Sequence, residues 1–462
     1  MTFMLKIRER LNQLLLYPCF LLGFTALFLS ACTDQAYSDA EDHSPYAIRM
    51  LLPAFHEDLP DSSSPIIRAI EAYTNTKLEV WFAPDSVYDE TLKVTFSSKQ
   101  NMPEVIVIPE KSPSFVQAAR SGLLWEVGPY LHLFPNLSEA DEIVLRNISV
   151  DGKVYGVYRA REKSRIGISY RKDWLEKVGL EEPRTIEEFY EMLRAFTYDD
   201  PGDNGIDDTY GMVVTKFSGP FDVIQTWFGV PNQWKEDGGA LIPAHETPEY
   251  MEALNFFRKL YEEGLINPDF AVMNPAGWLD PIVEGKAGVI VDYARHAARI
   301  QSRMGDRGVM DVMASVEGPH GIRNLSSSGH LGMIAVSKTA VRTEEELLRV
   351  LDFLDKLNDA EMQILIQNGI EDRHYKFVDG YIEALGIEGT SKEKNSLNQM
   401  LMYIPEQRFY PRKPTPLLEK ADRIMVENES HLVHNPAEHL ISDTYVKKGY
   451  ELDQIIENAR TA

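Results

Sequence analysis

The chain has 462 residues, too many for one hydrophobic core at roughly 100–200 residues per domain, so two lobes are the default. Hydrophobic residues at 44% and charged residues at 26% sit near the globular average and exclude a disordered, collagenous or polytopic membrane chain. Lys plus Arg number 47 against 71 Asp plus Glu, and the net charge of -24 repels phosphates, which excludes nucleic acid as a partner.

Lys6, Arg8 and Arg10 precede an apolar run from Leu14 to Leu29, which ends in Leu29-Ser30-Ala31-Cys32. Basic region, apolar region and small-residue cleavage site follow the order of a secretory signal. The last four residues resemble the lipobox of bacterial lipoproteins, so residues 1–31 are expected to be removed and Cys32 to become the first residue, acylated on its sulfur. The competing reading is a transmembrane anchor. Removal of 1–31 takes away Lys6, Arg8, Arg10 and Glu9, a net +2, and leaves -26 on the mature chain. Residues 32–44, polar and acidic, read as a flexible tether on the extracellular face of the membrane. Cys19 and Cys32 are the only cysteines, so the body can form neither a disulfide nor a thiolate zinc site.

From Tyr46 the pattern alternates. A strand is expected at Ile48–Leu52, and a helix opens at Ser62-Ser63-Ser64-Pro65, with Ser as cap and Pro as first helical residue. A strand near Leu78–Phe82, a helix near Tyr88–Ser97 and a buried strand Val105–Ile108 follow. This order predicts a largely parallel sheet covered by helices, with Pro53–Glu57 and Pro109–Ser112 as cleft loops beyond its strands. Farther on, Thr247-Pro248 starts a helix whose expected core face is Tyr250, Leu254, Phe257 and Tyr261, stopped by Gly264. Glu344-Glu345-Glu346 opens another, carrying Leu347, Val350, Leu351, Leu354 and Leu357.

Catalytic motifs are mostly lacking: there is no Gly-rich phosphate loop, no His-Glu-x-x-His and no nucleophile elbow around Ser326-Ser327-Ser328. His431, His434 and His439 lack a convincing ligand set and read as exposed helix residues. In the segment 199–208, Asp200, Asn204, Asp208 and the Ile206 carbonyl are spaced as oxygen ligands for calcium. Gly202 and Gly211, however, stand at the third and twelfth loop positions. An Asx-rich turn without an ion is the other reading. Flat rings and polar forks suit the apolar face and hydroxyl rim of a sugar. Arg159, Trp227, Trp278, Tyr293, Arg323 and Tyr375 carry that chemistry in loop-like positions and are the candidate ligand contacts.

Three groups of segments together resemble the bacterial family 1 extracellular solute-binding proteins, the lipoprotein receptors of ABC-type sugar importers. The first is Val154-Tyr155-Gly156 with Ser169-Tyr170-Arg171-Lys172-Asp173-Trp174-Leu175 and Pro183-Arg184-Thr185. The second runs from Gly239-Ala240-Leu241-Ile242-Pro243 to Glu262-Glu263-Gly264-Leu265-Ile266-Asn267-Pro268-Asp269-Phe270. The third is Asn368-Gly369-Ile370-Glu371, His374-Tyr375 and Val378-Asp379-Gly380. The resemblance covers most of 45–420 and implies an α/β, two-lobe periplasmic-binding-protein-like fold with a hinge and an interlobe ligand cleft. The expected division is 45–160 with 317–362 in lobe 1, and 161–316 with 363–462 in lobe 2. It also implies a carbohydrate ligand, an oligosaccharide, handed to ABC permease subunits by a monomeric, lipid-anchored protein without a catalytic cofactor, and it favours the calcium loop. Tyr158 departs from the family's usual Pro and Gly202 from its usual Asp. A surface-tethered glycoside hydrolase, with two carboxylates 5–10 Å apart, and a ligand-presenting sensor subunit are the alternatives.

Overall fold

Four consecutive β-branched residues, Val105–Ile108, can bury both faces of a strand only in the middle of a covered sheet. In the computed structural model all four are fully buried. The structure describes residues 44–98, 101–199, 201–202, 205, 208–402 and 413–461. The expected signal segment, Cys32 and the tether up to residue 43 lie outside the described residues, as do Asp200, Asn204 and Ile206.

In chain order the strands begin with β1 (Tyr46–Ala54), β2 (Thr76–Pro84), β3 (Val105–Ile108), β4 (Gly156–Ala160), β5 (Ile166–Arg171) and β6 (Tyr210–Met212). Then come β7 (Trp234–Asp237), β8 (Ala240–Pro243), β9 (Ala287–Tyr293), β10 (Met310–Met313), β11 (Glu317–Gly318), β12 (Gly321–Ile322) and β13 (Asn324–Leu325). The last are β14 (His330–Val336), β15 (Tyr375–Val378), β16 (Tyr381–Ala384) and β17 (Leu432–Val433).

One sheet has the order β2-β1-β3-β14-β4 and the other β10-β5-β9-β6. β1 runs parallel to β2 and β3, as the alternation predicted. β14 is antiparallel to both β3 and β4, because it re-enters the first sheet from the second body instead of from a crossover helix. The second sheet is mixed too: β5 is antiparallel to β10 and β9, and only β6 runs parallel to β9.

Helix starts follow their caps. Ser64 Oγ accepts from the Ile66 amide at 3.3 Å ahead of Pro65. Thr343 and Glu346 close a reciprocal capping box, a sharper signal than the acidic turn expected there. Of the face expected on the helix Pro248–Glu262, Tyr250 and Phe257 pack against core clusters and the other two residues do not. Ala253 and Leu260 are buried, whereas Leu254 and Tyr261 are exposed. Apolar residues surround this helix, so periodicity alone offers two faces, and the small Ala253 lets its side approach the body closely.

The first sheet is buried against Ile66, Ile70, Phe115, Leu347, Leu351 and Leu354. β9 divides the second body: Val289 and Val291 face one cluster with Phe189, Phe196 and Trp227, while Ile290 and Ala294 face another with Trp278, Ile300 and Ile424. Alternating β9 residues thus serve two cores, as a sheet covered on both faces requires. Leu365, Ile366, Leu397, Met400 and Met402, expected in the second lobe, pack into the first core instead, as does Val446. Conversely, β11 lies against the second body, where an added Cβ on Gly318 would come within 1.8 Å of the Trp227 carbonyl oxygen. Nothing in the hydrophobic pattern says which of two similar sheets a late segment will cover.

Candidate ligand cleft

The chain passes between the two sheets at residues 160–166, 313–330 and 427–443, and once more between Met402 and Leu417. The first three connections are bound to one another. β13 pairs with β17, Ser164 Oγ donates to the Met425 carbonyl at 2.5 Å, and Asn232 Nδ2 donates to the carbonyls of Ser326 and Val433, each at 3.0 Å. The carboxyl ends of β3, β4 and β9 therefore reach a common seam, the usual place for a ligand in open α/β sheets. Two cavities flank it, of about 910 and 430 Å³, and Arg161 lines both.

On the second-body side a row of rings follows the ends of β6 and β9. Phe217, exposed, has its ring centroid 6.1 Å from that of Trp278. Trp278 meets His296 edge-on at 6.0 Å, and His296 meets Tyr293 at 5.7 Å. The Arg165 guanidinium stacks 4.5 Å above the Tyr293 ring, and Arg295 Nη1 donates to the Tyr293 hydroxyl at 2.8 Å. Arg295 is itself held by Asp422 at 2.7 Å and Glu162 at 3.2 Å. Burial raises the Tyr293 pKa, so its hydroxyl stays protonated. Trp278 is buried in the core with Ile290 and Ala294 and braces the row from behind, so the open apolar surface is that of the exposed Phe217 and the half-buried Tyr293, bordered by donors.

Of the six candidate contacts, the structure brings Trp278 and Tyr293 together through His296. Trp227 is fully buried and packs edge-on against Phe189 at 5.2 Å. It is a core residue with no surface to offer a ligand, because Gly229 ends its helix beneath β11, not at the seam. Arg159 is buried under the first sheet, donating to the Leu331 carbonyl at 3.0 Å and Gln399 Oε1 at 2.6 Å, and burial lowers its pKa to about 10. Arg323 donates to the Thr226 carbonyl at 3.1 Å. Tyr375 is buried in the β15–β16 hairpin against Phe377. These last three do not join the aromatic row.

Sequence reasoning missed His296, Phe217, Arg161 and Arg165. The available signal was position: Tyr293 closes, and His296 follows, a strand that opens with five buried residues, Ala287–Val291. His434 follows β17 and lines both the larger cavity and the crossing segment, not a helix surface.

Asp208, the described member of the expected calcium set, is exposed. The loop's ends are fixed: Thr209 Oγ1 donates to the Phe196 carbonyl at 2.8 Å, and the Gly211 amide donates to Thr197 Oγ1 at 2.9 Å. A Cβ on Gly211 would lie 2.7 Å from the Leu193 carbonyl oxygen, so packing forbids the glutamate that closes a standard twelve-residue calcium loop. Among the described residues no group of three or more His, Cys, Asp or Glu side chains is placed to hold a metal.

Two sheet-bearing lobes joined by several crossings, with two cavities at the seam and aromatic rings beside it, define a hinged solute-binding fold. The chain belongs to the bacterial extracellular solute-binding proteins, whose family model matches residues 56–364. It is 44% identical to the lipoprotein LipO of Bacillus subtilis (strain 168), over 95% of this chain and 90% of that one. To the polygalacturonan/rhamnogalacturonan-binding protein YtcQ of the same organism it is 32% identical, over 93% and 88%. Among solved structures, an EF-hand mutant of the S. pneumoniae ABC-transporter substrate-binding protein FusA, in complex with fructo-nystose, superimposes with a TM-score of 0.65. It shares 18% identity and the match covers 90% of each chain.

Proposed function

We propose that this protein captures an oligosaccharide between its lobes and delivers it, chemically unchanged, to an ABC permease. The observation that carries the reading is the exposed Phe217 and half-buried Tyr293 at the strand ends, braced by Trp278 and His296, two ring faces suited to the C–H face of a sugar ring. The polysaccharide-binding name of YtcQ and the fructo-nystose complex of FusA support it. A Kd near 1 μM corresponds to about 8 kcal/mol, part of which favours the closed over the open arrangement. The lobes divide, in this reading, into 45–160 with β14 to residue 402, and 161–325 with the helix Pro416–Glu427. Calorimetry against a panel of oligosaccharides, followed by chromatography of the recovered ligand, tests the proposal. Saturable heat with intact ligand is expected, and shortened products would replace it with the glycoside hydrolase reading.

The protein acts as a monomer held on the outer face of the membrane through Cys32. The lipoprotein name of LipO supports this anchor. Cys32→Ala is expected to release the protein into the medium or leave an uncleaved precursor, and persistent acyl labelling of that variant would refute the assignment.

The segment 199–208 holds a calcium ion through Asp200, Asn204, Asp208 and the Ile206 carbonyl, completed without a twelfth-position ligand. The EF-hand of FusA supports this. Excess chelator should lower the melting temperature, and added calcium should restore it. An unchanged midpoint would mean that the turn works without an ion.

A further inference from the structure

We infer that the seam recognises a carboxylate on its cargo, so that the oligosaccharide is a uronate, bound by Arg161 and Arg165. This rests on the sugar-binding reading above and deepens it. In a chain with 24 more acidic than basic residues, arginines easily find carboxylates: Arg49, Arg120, Arg171, Arg303 and Arg373 all do. Arg161 and Arg165 are half-buried at the crossing. Among the described residues neither guanidinium hydrogen-bonds or pairs with an acid. Of the two carboxylates that act on Arg161 from a distance, Glu162 is paired with Arg295 at 3.2 Å, and Asp292 stands 3.7 Å from His296 Nδ1 without a hydrogen bond between them.

Two further observations point to an anion. His330 lines the 430 Å³ cavity with Arg161, and only 8% of its side chain is exposed. Its Nδ1 accepts from the Gly332 amide at 3.1 Å, so the neutral ring carries its proton on Nε2, which has no hydrogen-bond partner. The Glu438 carboxylate on the cavity wall stops 3.9 Å short of it. Burial, with Lys111 and Arg161 nearby, holds the His330 pKa down at about 4, so the ring stays neutral at pH 7 and adds a donor without adding charge. Separately, the Arg165 guanidinium sits 4.5 Å from the Tyr293 ring centroid, a contact that uses none of its N–H groups and leaves their fork for an acceptor. A planar carboxylate matches such forks in a way a sugar hydroxyl does not. Its charge would also offset the burial and the repulsion from Arg165 that depress the Arg161 pKa.

Titration calorimetry with galacturonate and mannuronate trimers, each beside its methyl ester, separates charge from sugar shape. At least one free acid should bind tenfold or more tighter than its ester, with the gap narrowing as salt is raised. Arg161→Gln with Arg165→Gln should close that gap, by weakening the free acid far more than the ester, and keep the melting temperature of the unaltered protein. Equal affinity for acid and ester, or a gap that survives the double substitution, overturns the inference. If neutral oligosaccharides bind and the uronates do not, the carboxylate inference fails and the sugar-binding reading stands. If no sugar binds, both fail.

Discussion

Tyr293→Ala is expected to weaken oligosaccharide binding by about 10- to 100-fold, with only a small fall in melting temperature. The ring is the meeting point of the cleft: His296 packs on its edge at 5.7 Å, Arg165 covers one face at 4.5 Å, and Arg295 donates to its hydroxyl at 2.8 Å. Removing it frees two arginines and deletes the apolar surface between them. Truncating an aromatic anchor that contacts the ligand costs about 1.4–3 kcal/mol of binding, which is that fold-change at 1.4 kcal/mol per decade. The effect on folding should be smaller, because Tyr293 is half-buried at the margin of its core. Tyr293→Phe supplies the control. It keeps the ring and the Arg165 stack and loses the acceptor for Arg295 and a long 3.5 Å donation to Glu162, so its loss should stay below about tenfold. Calorimetry with a ligand of the unaltered protein measures both. An unchanged Kd in the alanine variant would remove the ring row from the binding site.

How much of this site could be read in the sequence depends on the range of the interaction. Local rules worked where one segment sufficed. Ser64-Pro65 and Thr343 cap helices, and the β-branched run Val105–Ile108 is a central strand. Tyr293 and Trp278 were legible as rings in loop-like positions. Trp227 met the same criterion and is core, because its burial depends on Phe189 and on β11, nearly forty and ninety residues away in the chain. Arg165 and Arg161 were invisible for the opposite reason. An arginine without a carboxylate partner is recognised only after every neighbour has been placed. The packing of Leu365 to Met402 on the first sheet was equally hidden, since two mixed sheets with similar apolar faces offer a late segment the same hydrophobic gain.

Gly332→Ala should be among the most damaging single-methyl changes in the protein, lowering stability by about 3–5 kcal/mol from left-handed strain and overpacking combined. Gly332 has φ of +81°, and a Cβ there would stand 1.9 Å from the Ile108 carbonyl oxygen and 2.3 Å from that of Pro109. Neither is a movable side-chain tip. Both belong to the end of β3, the strand buried on both faces, so relief requires shifting the centre of the first sheet. The glycine lies where the β14–β4 register shifts between His330 and Met333, a bulge that turns the strand as it arrives from the second body. Because the two lobes have separate cores, denaturant unfolding followed by a probe in each should lower the first-lobe midpoint and leave the second-lobe midpoint nearly in place. The same methyl would also displace the Gly332 amide that fixes the His330 ring. Ligand affinity should therefore fall even at temperatures where the variant remains folded. Coincident loss of both midpoints would mean that the crossings couple the lobes into one cooperative unit, and an unchanged first-lobe midpoint would mean that β14 can slide past β3 without strain.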